Sequence, residues 1–251
     1  GLSRSAAGRR QAGSAPGRSL GAGAGGGAGT SRPGFPWGGS DAFEVTCRGP
    51  GGQGGMRGRT GNVLNAQAFL VERLMTIVEG LEWEDGTPCH TTIGDVRTDG
   101  AWNIVPRHAV VKGSLRTFTA ELRTQALQRL DDLLLETRTE FSVDAELKLV
   151  HGTVPLINHP TPTDIVMETA RELIGDKASI LGRPLTVSDD VAEFLTHIPG
   201  CYFQLGAKPP ELDTPTSHHS PFFRIDEAAF ATGVRVLAGS AVRLAERESL
   251  T

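Results

Sequence analysis

The chain has 251 residues, which is enough for one large domain or two of modest size. With 38% hydrophobic and 22% charged residues, its composition is that of a soluble globular protein. The formal net charge of −4 argues against a nucleic-acid partner. Since no apolar run approaches the length of about 20 residues that spans a bilayer, the sequence predicts no membrane segment.

Cysteine usage limits the possible cofactors and location. Cys47, Cys89 and Cys201 are odd in number, widely spaced and without a C-x-x-C pair. This pattern indicates neither a disulfide framework nor a cysteine zinc site. A reducing, cytoplasmic setting is therefore expected. The first residue is glycine rather than methionine, so we expect the sequence to be a fragment.

Residues 1–40 differ in composition from the rest of the chain. They are mostly Gly, Ala, Ser, Arg and Pro, and no acidic residue precedes Asp41. Such a segment buries too little apolar surface to offset its ordering entropy, so we expect a low-complexity, disordered leader. It should be mobile and protease-sensitive to about residue 28, and structured chain could begin near Gly29. A transit peptide, a flexible linker and translation in a wrong frame all fit, and we favour the third.

From Asp41 onward, periodic patterns predict regular elements. Alternating apolar residues predict strands near residues 43–47, 88–98, 109–115 and 143–150. Helical spacing predicts helices over residues 62–82 and 121–139, and a glycine-rich loop occupies residues 49–55. The order strand, helix, strand, strand, helix, strand is that of a ferredoxin-like domain, with two helices on one face of an antiparallel sheet. We place this domain at residues 41–156 and expect its edge strand to pair with a second copy.

The remainder, residues 157–251, has a different pattern. Its predicted elements are a helix over 162–174, a short helix over 188–197, a buried strand over 201–206 and a long helix from Asp226. These elements are too few to close a hydrophobic core. We therefore expect them to form part of an α/β layer whose other strands are missing.

A loop with two adjacent histidines precedes the last helix. Pro221 cannot continue a helix or a sheet ladder, so His218 and His219 lie in a loop that turns after them. Asp226 and Glu227 then suit the positive end of a helix dipole. Neutral imidazole in a fixed loop is a common metal ligand. From spacing alone, however, a pair of exposed loop histidines is the simpler interpretation.

Six short segments occur in a characteristic order. They are residues 102–106 (W-N-I-V-P), 113–117 (G-S-L-R-T), 157–160 (I-N-H-P), 188–190 (S-D-D), 199–206 (P-G-C-Y-F-Q-L-G) and 219–227 (H-S-P followed by D-E). Each is weak alone, but their order and spacing are specific. Together, from about residue 29 to residue 246, they resemble the peptidase M20 amidohydrolases. The nearest branch is that of hippurate hydrolases and indole-acetyl-amino-acid hydrolases.

This resemblance implies a fold and an activity. The fold class would be α/β and α+β: a ferredoxin-like lid (βαββαβ) that also pairs two subunits into a homodimer, followed by the C-terminal half of an M20-type α/β catalytic domain. One or two divalent ions, zinc or manganese, would bind a water that attacks the amide bond of an N-acyl amino acid. A glutamate would act as general base.

The resemblance also assigns residues. His219 matches the last metal ligand, whereas His218 stands where the family has an apolar residue. Arg116 matches a lid arginine that binds a substrate carboxylate; the alternative is a strand-edge arginine in water. Asn103 matches a lid asparagine that contacts the substrate or the oxyanion; the alternative is a turn asparagine bonded to its own backbone.

The sequence departs from the family at several positions. Gln53 replaces a histidine of the lid loop and Gly58 replaces a second. Glutamine donates hydrogen bonds but carries no proton near neutral pH, so we group Gln53 with substrate binding only. Asp189 and Asp190 are interpreted as a helix-start cluster. The family's cysteine-glycine-histidine-aspartate cluster and glutamate pair are absent, so no catalytic residue is identified.

Two other functions remain open. Because most metal ligands are absent, the chain alone is expected not to hydrolyse amides, and it could be a non-catalytic lid remnant that dimerises and binds a carboxylate ligand. An RNA-binding module would share the ferredoxin-like order, but the aromatic-rich strand motif and a concentrated basic face are absent from the sequence. We therefore favour the hydrolase.

Overall fold

The computed structural model describes residues 15–25, 27–31, 33–55, 62–83, 86–180, 184–212 and 220–247. The chain divides into two compact units. The inserted unit comprises residues 38–155 and 186–188. The flanking unit comprises the described parts of residues 1–37, 156–185 and 189–251.

The helices and strands are numbered in chain order. The strands are β1 (Ala15–Gly25), β2 (Gly29–Ser31), β3 (Gly34–Trp37), β4 (Gly39–Arg48), β5 (Gly52–Gln53), β6 (His90–Thr98), β7 (Ile104–Val105), β8 (His108–Thr117), β9 (Asp144–Thr153), β10 (Leu156–Asn158), β11 (Ala178–Ile180) and β12 (Gly200–Lys208). The helices are α1 (Val63–Met75), α2 (Ala120–Phe141), α3 (Pro160–Ile174), α4 (Val191–Leu195) and α5 (Ala229–Glu246), with a 3-10 turn at Gly175–Lys177.

The inserted unit is built on a four-stranded antiparallel sheet with the order β6-β8-β4-β9. Along the chain its long elements are strand, helix, strand, strand, helix, strand, as the periodicity predicts. Both helices pack against the sheet and against each other, so they cover the same face. The core lies between this face and the helices.

Alternation along β4 explains why one sheet face is buried. Phe43, Val45 and Cys47 point into the core, and the intervening residues are more exposed. Leucines of α1 and α2, including Leu70 and Leu130, pack over these side chains. Each such burial stabilises the unit by about 1.5–3 kcal/mol relative to leaving the side chain in water.

The flanking unit has a mixed sheet with the order β1-β12-β2-β11. β1 is parallel to β12, β2 is antiparallel to it, and β11 is parallel to β2. The apolar run of β12 is buried along most of its length, as expected for a covered strand. Helices α3 and α5 pack against each other and against this sheet through Val166, Phe203 and Val236.

The expectation of an unstructured leader over residues 1–40 is wrong for the described part of that segment. Residues 15–25, 29–31 and 34–37 form β1 to β3, so the unit predicted at residues 157–251 also contains N-terminal strands. β1 pairs with β12 from Ala15 opposite Gly200 to Gly21 opposite Gly206. Backbone hydrogen bonds to a buried strand hold this segment, and they do not need large side chains. Residues 1–14 lie outside the described residues.

Candidate functional site

Two of the predicted substrate residues meet at one tip of the inserted unit. Gln53 of β5 lies opposite Ile104 of β7 in a short antiparallel ladder. Next to it, the backbone N–H of Gly54 donates to the carbonyl oxygen of Asn103 at 3.0 Å. The side chains of Gln53 and Asn103 are exposed. The glycine-rich loop and the W-N-I-V-P turn therefore form one structure, the β5–β7 tip, with the exposed amide groups of Gln53 and Asn103 on its surface.

Asp99 anchors the β5–β7 tip to the sheet. Its Oδ1 accepts hydrogen bonds from the backbone N–H groups of Arg107 and His108, each at 2.9 Å. Its Oδ2 lies 3.2 Å from His108 Nδ1. The backbone bond from His108, together with the other two contacts, holds the pKa of Asp99 below its usual value. The sequence did not predict this role, because Asp99 directly follows the strand predicted at residues 88–98 and belongs to none of the motif segments.

Trp102, beside Asn103, is the most exposed large apolar residue described. Its exposed fraction is 96%, whereas Trp37 is buried at 6%. An indole on an ordered tip is available for contact with a ligand or another protein. In the sequence, Trp102 was recognised only as part of the W-N-I-V-P segment, although a tryptophan between two predicted strands could have indicated an exposed aromatic side chain.

The exposure of Trp102 predicts a fluorescence result. Trp102→Phe should remove most of the emission that iodide quenches, because Trp37 is buried and Trp83 is partly covered by the core. Trp83→Phe is the matched control and should leave most of that quenching intact. Equal quenching in the wild type and in Trp102→Phe would show that the tip is covered in solution.

Arg116 is the third predicted substrate residue and lies near the end of β8. It is half-buried and stands opposite Ser40 of β4 and His90 of β6. Its Nη1 donates to Ser188 Oγ. Burial lowers its pKa, and within the described ranges no carboxylate pairs with it. A partly desolvated guanidinium with only a neutral partner can accept an anion.

A single copy of the chain does not bring Gln53, Asn103 and Arg116 together around one small molecule. Asn103 precedes the first residue of β8, whereas Arg116 is the last but one. At about 3.4 Å per residue, eight steps of an antiparallel strand separate the tip from Arg116 by about 27 Å. His219 lies outside the described residues, so its role as a metal ligand stays a prediction.

Two of the motif segments have structural roles in the flanking unit. Asn158 is buried, and its Nδ2 donates to Ser31 Oγ at 3.1 Å and to the Tyr202 carbonyl at 2.9 Å, while its Oδ1 accepts from the Tyr202 backbone N–H at 2.7 Å. Asp189 accepts from the Tyr202 hydroxyl at 2.8 Å and from the Val191 backbone N–H at 3.0 Å. These bonds join β10, β2 and β12 and hold the start of α4.

The described residues do not fit a complete metal centre. In that part of the chain, no group of three or more His, Cys, Asp or Glu side chains could hold a metal ion. A hydrolytic zinc site needs about three protein ligands and an open position. The side chains in the described ranges therefore do not by themselves assemble a site for a metal-bound water.

Comparison with known proteins establishes the family. The model of peptidase family M20/M25/M40 matches residues 21–243. The chain belongs to this family. The M20 resemblance inferred from the six motif segments is therefore confirmed, and the match begins inside the segment that was expected to be unstructured.

Curated M20 relatives are longer than this chain. The N-acetyl-L-cysteine deacetylase of Bacillus subtilis (strain 168) is 29% identical over 208 residues, which are 81% of this chain and 47% of the relative. The IAA-amino acid hydrolase ILR1-like 2 of Arabidopsis thaliana is 27% identical over 217 residues, 85% of this chain and 48% of the relative. The chain thus spans about half the length of the curated relatives it matches.

Solved structures confirm the general fold. The Bacillus subtilis YXEP protein, described as a dinuclear metal binding peptidase from the M20 family, matches with a TM-score of 0.71 and 18% identity over 93% of this chain and 58% of that one. At this identity the likeness shows the fold alone, a mixed α/β fold with an antiparallel sheet. No helix among the described residues is long and apolar enough to cross a membrane.

Proposed function

We propose that this chain is the C-terminal part of a metal-dependent hydrolase that cleaves the amide bond of N-acyl amino acids. The observation that carries the proposal is Arg116, a half-buried guanidinium that donates to a hydroxyl and has no carboxylate partner among the described residues. A substrate carboxylate would satisfy it through a bidentate, charge-assisted pair. The names of two relatives specify an N-acetylated amino acid and an IAA-amino acid as their substrates.

The inserted unit would act as a ferredoxin-like lid in a homodimer. Its antiparallel sheet order and its two helices on one face support this assignment. The separation of Asn103 from Arg116 supports the dimer, because the β5–β7 tip of one copy could then approach Arg116 of a second copy. Such an arrangement would place Asn103, Gln53 and Arg116 around one substrate.

The residues of this chain would bind and orient the substrate. Arg116 would hold the carboxylate, and the Asn103 amide would donate to the carbonyl oxygen as negative charge develops there. Gln53 can add a hydrogen bond but cannot move a proton near neutral pH. A bound zinc or manganese ion would polarise the carbonyl and supply an activated water. His219 is the one ligand that this chain is proposed to contribute.

A non-catalytic carboxylate-binding remnant is the second candidate. It is favoured by Gln53 in place of a histidine and by the lack of a three-ligand cluster among the described residues. In either case, the free and buried Cys47, Cys89 and Cys201 support a reducing, cytoplasmic location.

Kinetics of the complete protein test the proposal. With zinc or manganese added, it should hydrolyse N-acetyl amino acids, whereas the 251-residue chain alone should not. Arg116→Gln should raise KM by about tenfold to a hundredfold, because a charge-assisted pair to the carboxylate is lost. His219→Ala should remove the metal-dependent activity.

Matched variants make this test specific. Arg116→Lys keeps the charge and should recover part of the loss, and Arg97→Gln on the exposed surface of β6 should change nothing. An unchanged KM in Arg116→Gln would refute the carboxylate assignment. Hydrolysis by the 251-residue chain that survives His219→Ala would refute both the expected inactivity of the chain and the ligand assignment.

A further inference from the structure

The inserted unit contains a cavity at the corner where β4 begins and β8 and β9 end. Its volume is about 330 Å³, at the lower end of the range for small-molecule pockets. Since a water molecule occupies about 30 Å³ in the liquid, the cavity can hold several waters or a small organic ion. The lining side chains include Asp41, Thr117, Arg123, His151, Thr153 and Pro155.

A buried carboxylate forms the floor of this cavity. The Asp41 carboxylate accepts hydrogen bonds from Arg123 Nε at 2.7 Å and Nη2 at 3.0 Å, and its Oδ1 lies 2.9 Å from His151 Nδ1. Burial by itself would raise the pKa of Asp41, but the bonds from Arg123 and His151 outweigh it and hold the pKa below its usual value. One negative charge thus faces two groups that can each carry a positive charge.

Three polar atoms of this cavity have no hydrogen-bond partner among the described residues. Arg123 uses Nε and Nη2 on Asp41, which leaves Nη1 available, and His151 uses only Nδ1, which leaves Nε2 available. The hydroxyl of Thr153 is buried and has no hydrogen-bond partner within the described chain. A buried hydroxyl without a partner is costly, so an acceptor that reached it would be favoured.

We propose that this cavity binds a small oxyanion, a carboxylate or phosphate group, held by Arg123, His151 and Thr153. Asp41 is the only acidic side chain among the residues that line the cavity, and its carboxylate orients both Arg123 and His151.

The Asp41 side chain lies on the opposite face of the sheet from the Arg116 side chain, although Ser40, which stands opposite Arg116, also lines the cavity. Asp41 lies opposite Leu115, whose side chain is in the core beneath the helices. Arg116 follows Leu115 in the strand, and successive side chains point to opposite faces of a sheet. Arg123, from the first turns of α2, reaches Asp41 on the helix-covered face. The proposed oxyanion site therefore does not depend on the proposed hydrolase function.

A phosphate titration of the 251-residue chain tests this proposal, with ¹H–¹⁵N NMR of the histidine rings as the readout. The imidazole signals of His151 should shift saturably. His108 is the matched internal control: it contacts the Asp99 carboxylate through Nδ1 at 3.2 Å but is not among the cavity residues. A parallel titration with acetate distinguishes a carboxylate from a phosphate ligand, and the tighter of the two identifies the chemistry.

Variants show whether the cavity itself is responsible. Thr153→Val keeps the side-chain shape, removes the free hydroxyl and should weaken phosphate binding about three- to tenfold. His151→Gln, whose affinity is measured by calorimetry because the imidazole signal is lost, should weaken it further, whereas Arg97→Gln on the exposed surface of β6 should leave it unchanged. The His151 signals of the wild type report this cavity and not Arg116, so failure of the hydrolase proposal and failure of this one are distinguishable. Equal, non-saturating shifts at His151 and His108 would indicate general ionic screening and would overturn the proposal. So would an affinity that Thr153→Val and His151→Gln both leave unchanged.

Discussion

Replacement of Gly113 by alanine is expected to lower the free energy of unfolding by about 3 kcal/mol, because the new methyl group overfills a packed site. Gly113 lies in β8 between Phe43 of β4 and Ile93 of β6. A Cβ there would stand 2.5 Å from Phe43 Cζ and would also overlap the Thr92 carbonyl oxygen. Phe43 is a buried core residue, and the carbonyl belongs to the sheet, so neither can move freely.

Urea unfolding followed by circular dichroism measures this effect, and Gly94→Ala is the matched control. Gly94 is also a strand glycine, in β6, but an added Cβ would meet no atom within 4 Å. Its replacement should leave stability unchanged or raise it by up to about 1 kcal/mol. If both variants unfold at the wild-type urea concentration, the packing at Gly113 is looser than these distances imply. The glycine of the G-S-L-R-T segment is thus explained by packing rather than by chemistry.

Replacement of Asp41 by alanine is also expected to destabilise the inserted unit by about 3 kcal/mol. The substitution leaves Arg123 and His151 facing each other without the carboxylate that they share. The Arg123 side chain is 31% exposed, so water recovers part of the loss. Asp95→Ala is the control: its partner Arg97 is 75% exposed, and the change should have little effect.

The contribution of Asp41 should depend on pH with a definite sign. Because the folded-state pKa lies below the ordinary value of 3.8, the unfolded chain binds the proton more readily. The stabilisation is therefore fully present above that ordinary value and is lost as pH falls through the lower folded-state pKa. The stability difference between wild type and Asp41→Ala should shrink in acid. A difference that stays constant down to the lowest measurable pH would contradict the assignment.

Helices and strands in which apolar residues recur at regular intervals could be predicted from the sequence. The alternation around Val45, the leucine stripe of α2 and the apolar run of β12 each predicted the element that the structure contains. The six short motif segments were sufficient to indicate the M20 family, which the family match confirms. The periodic patterns can be recognised in the sequence because burial of one face of a helix or strand constrains residues that are near neighbours in the chain.

Contacts between distant residues became visible only in the folded chain. β1 has little side-chain signal of its own, and its pairing partner β12 begins 185 positions after Ala15, at Gly200. The Asp41 cluster joins residues 82 and 110 positions apart, and Asn158, which matched a family motif, proved to join β10, β2 and β12. The fold also placed Asn103 before the start of β8 and Arg116 near its end, a separation that the motif segments did not reveal. Such contacts depend on which chain segments meet after folding, and local periodicity does not encode that.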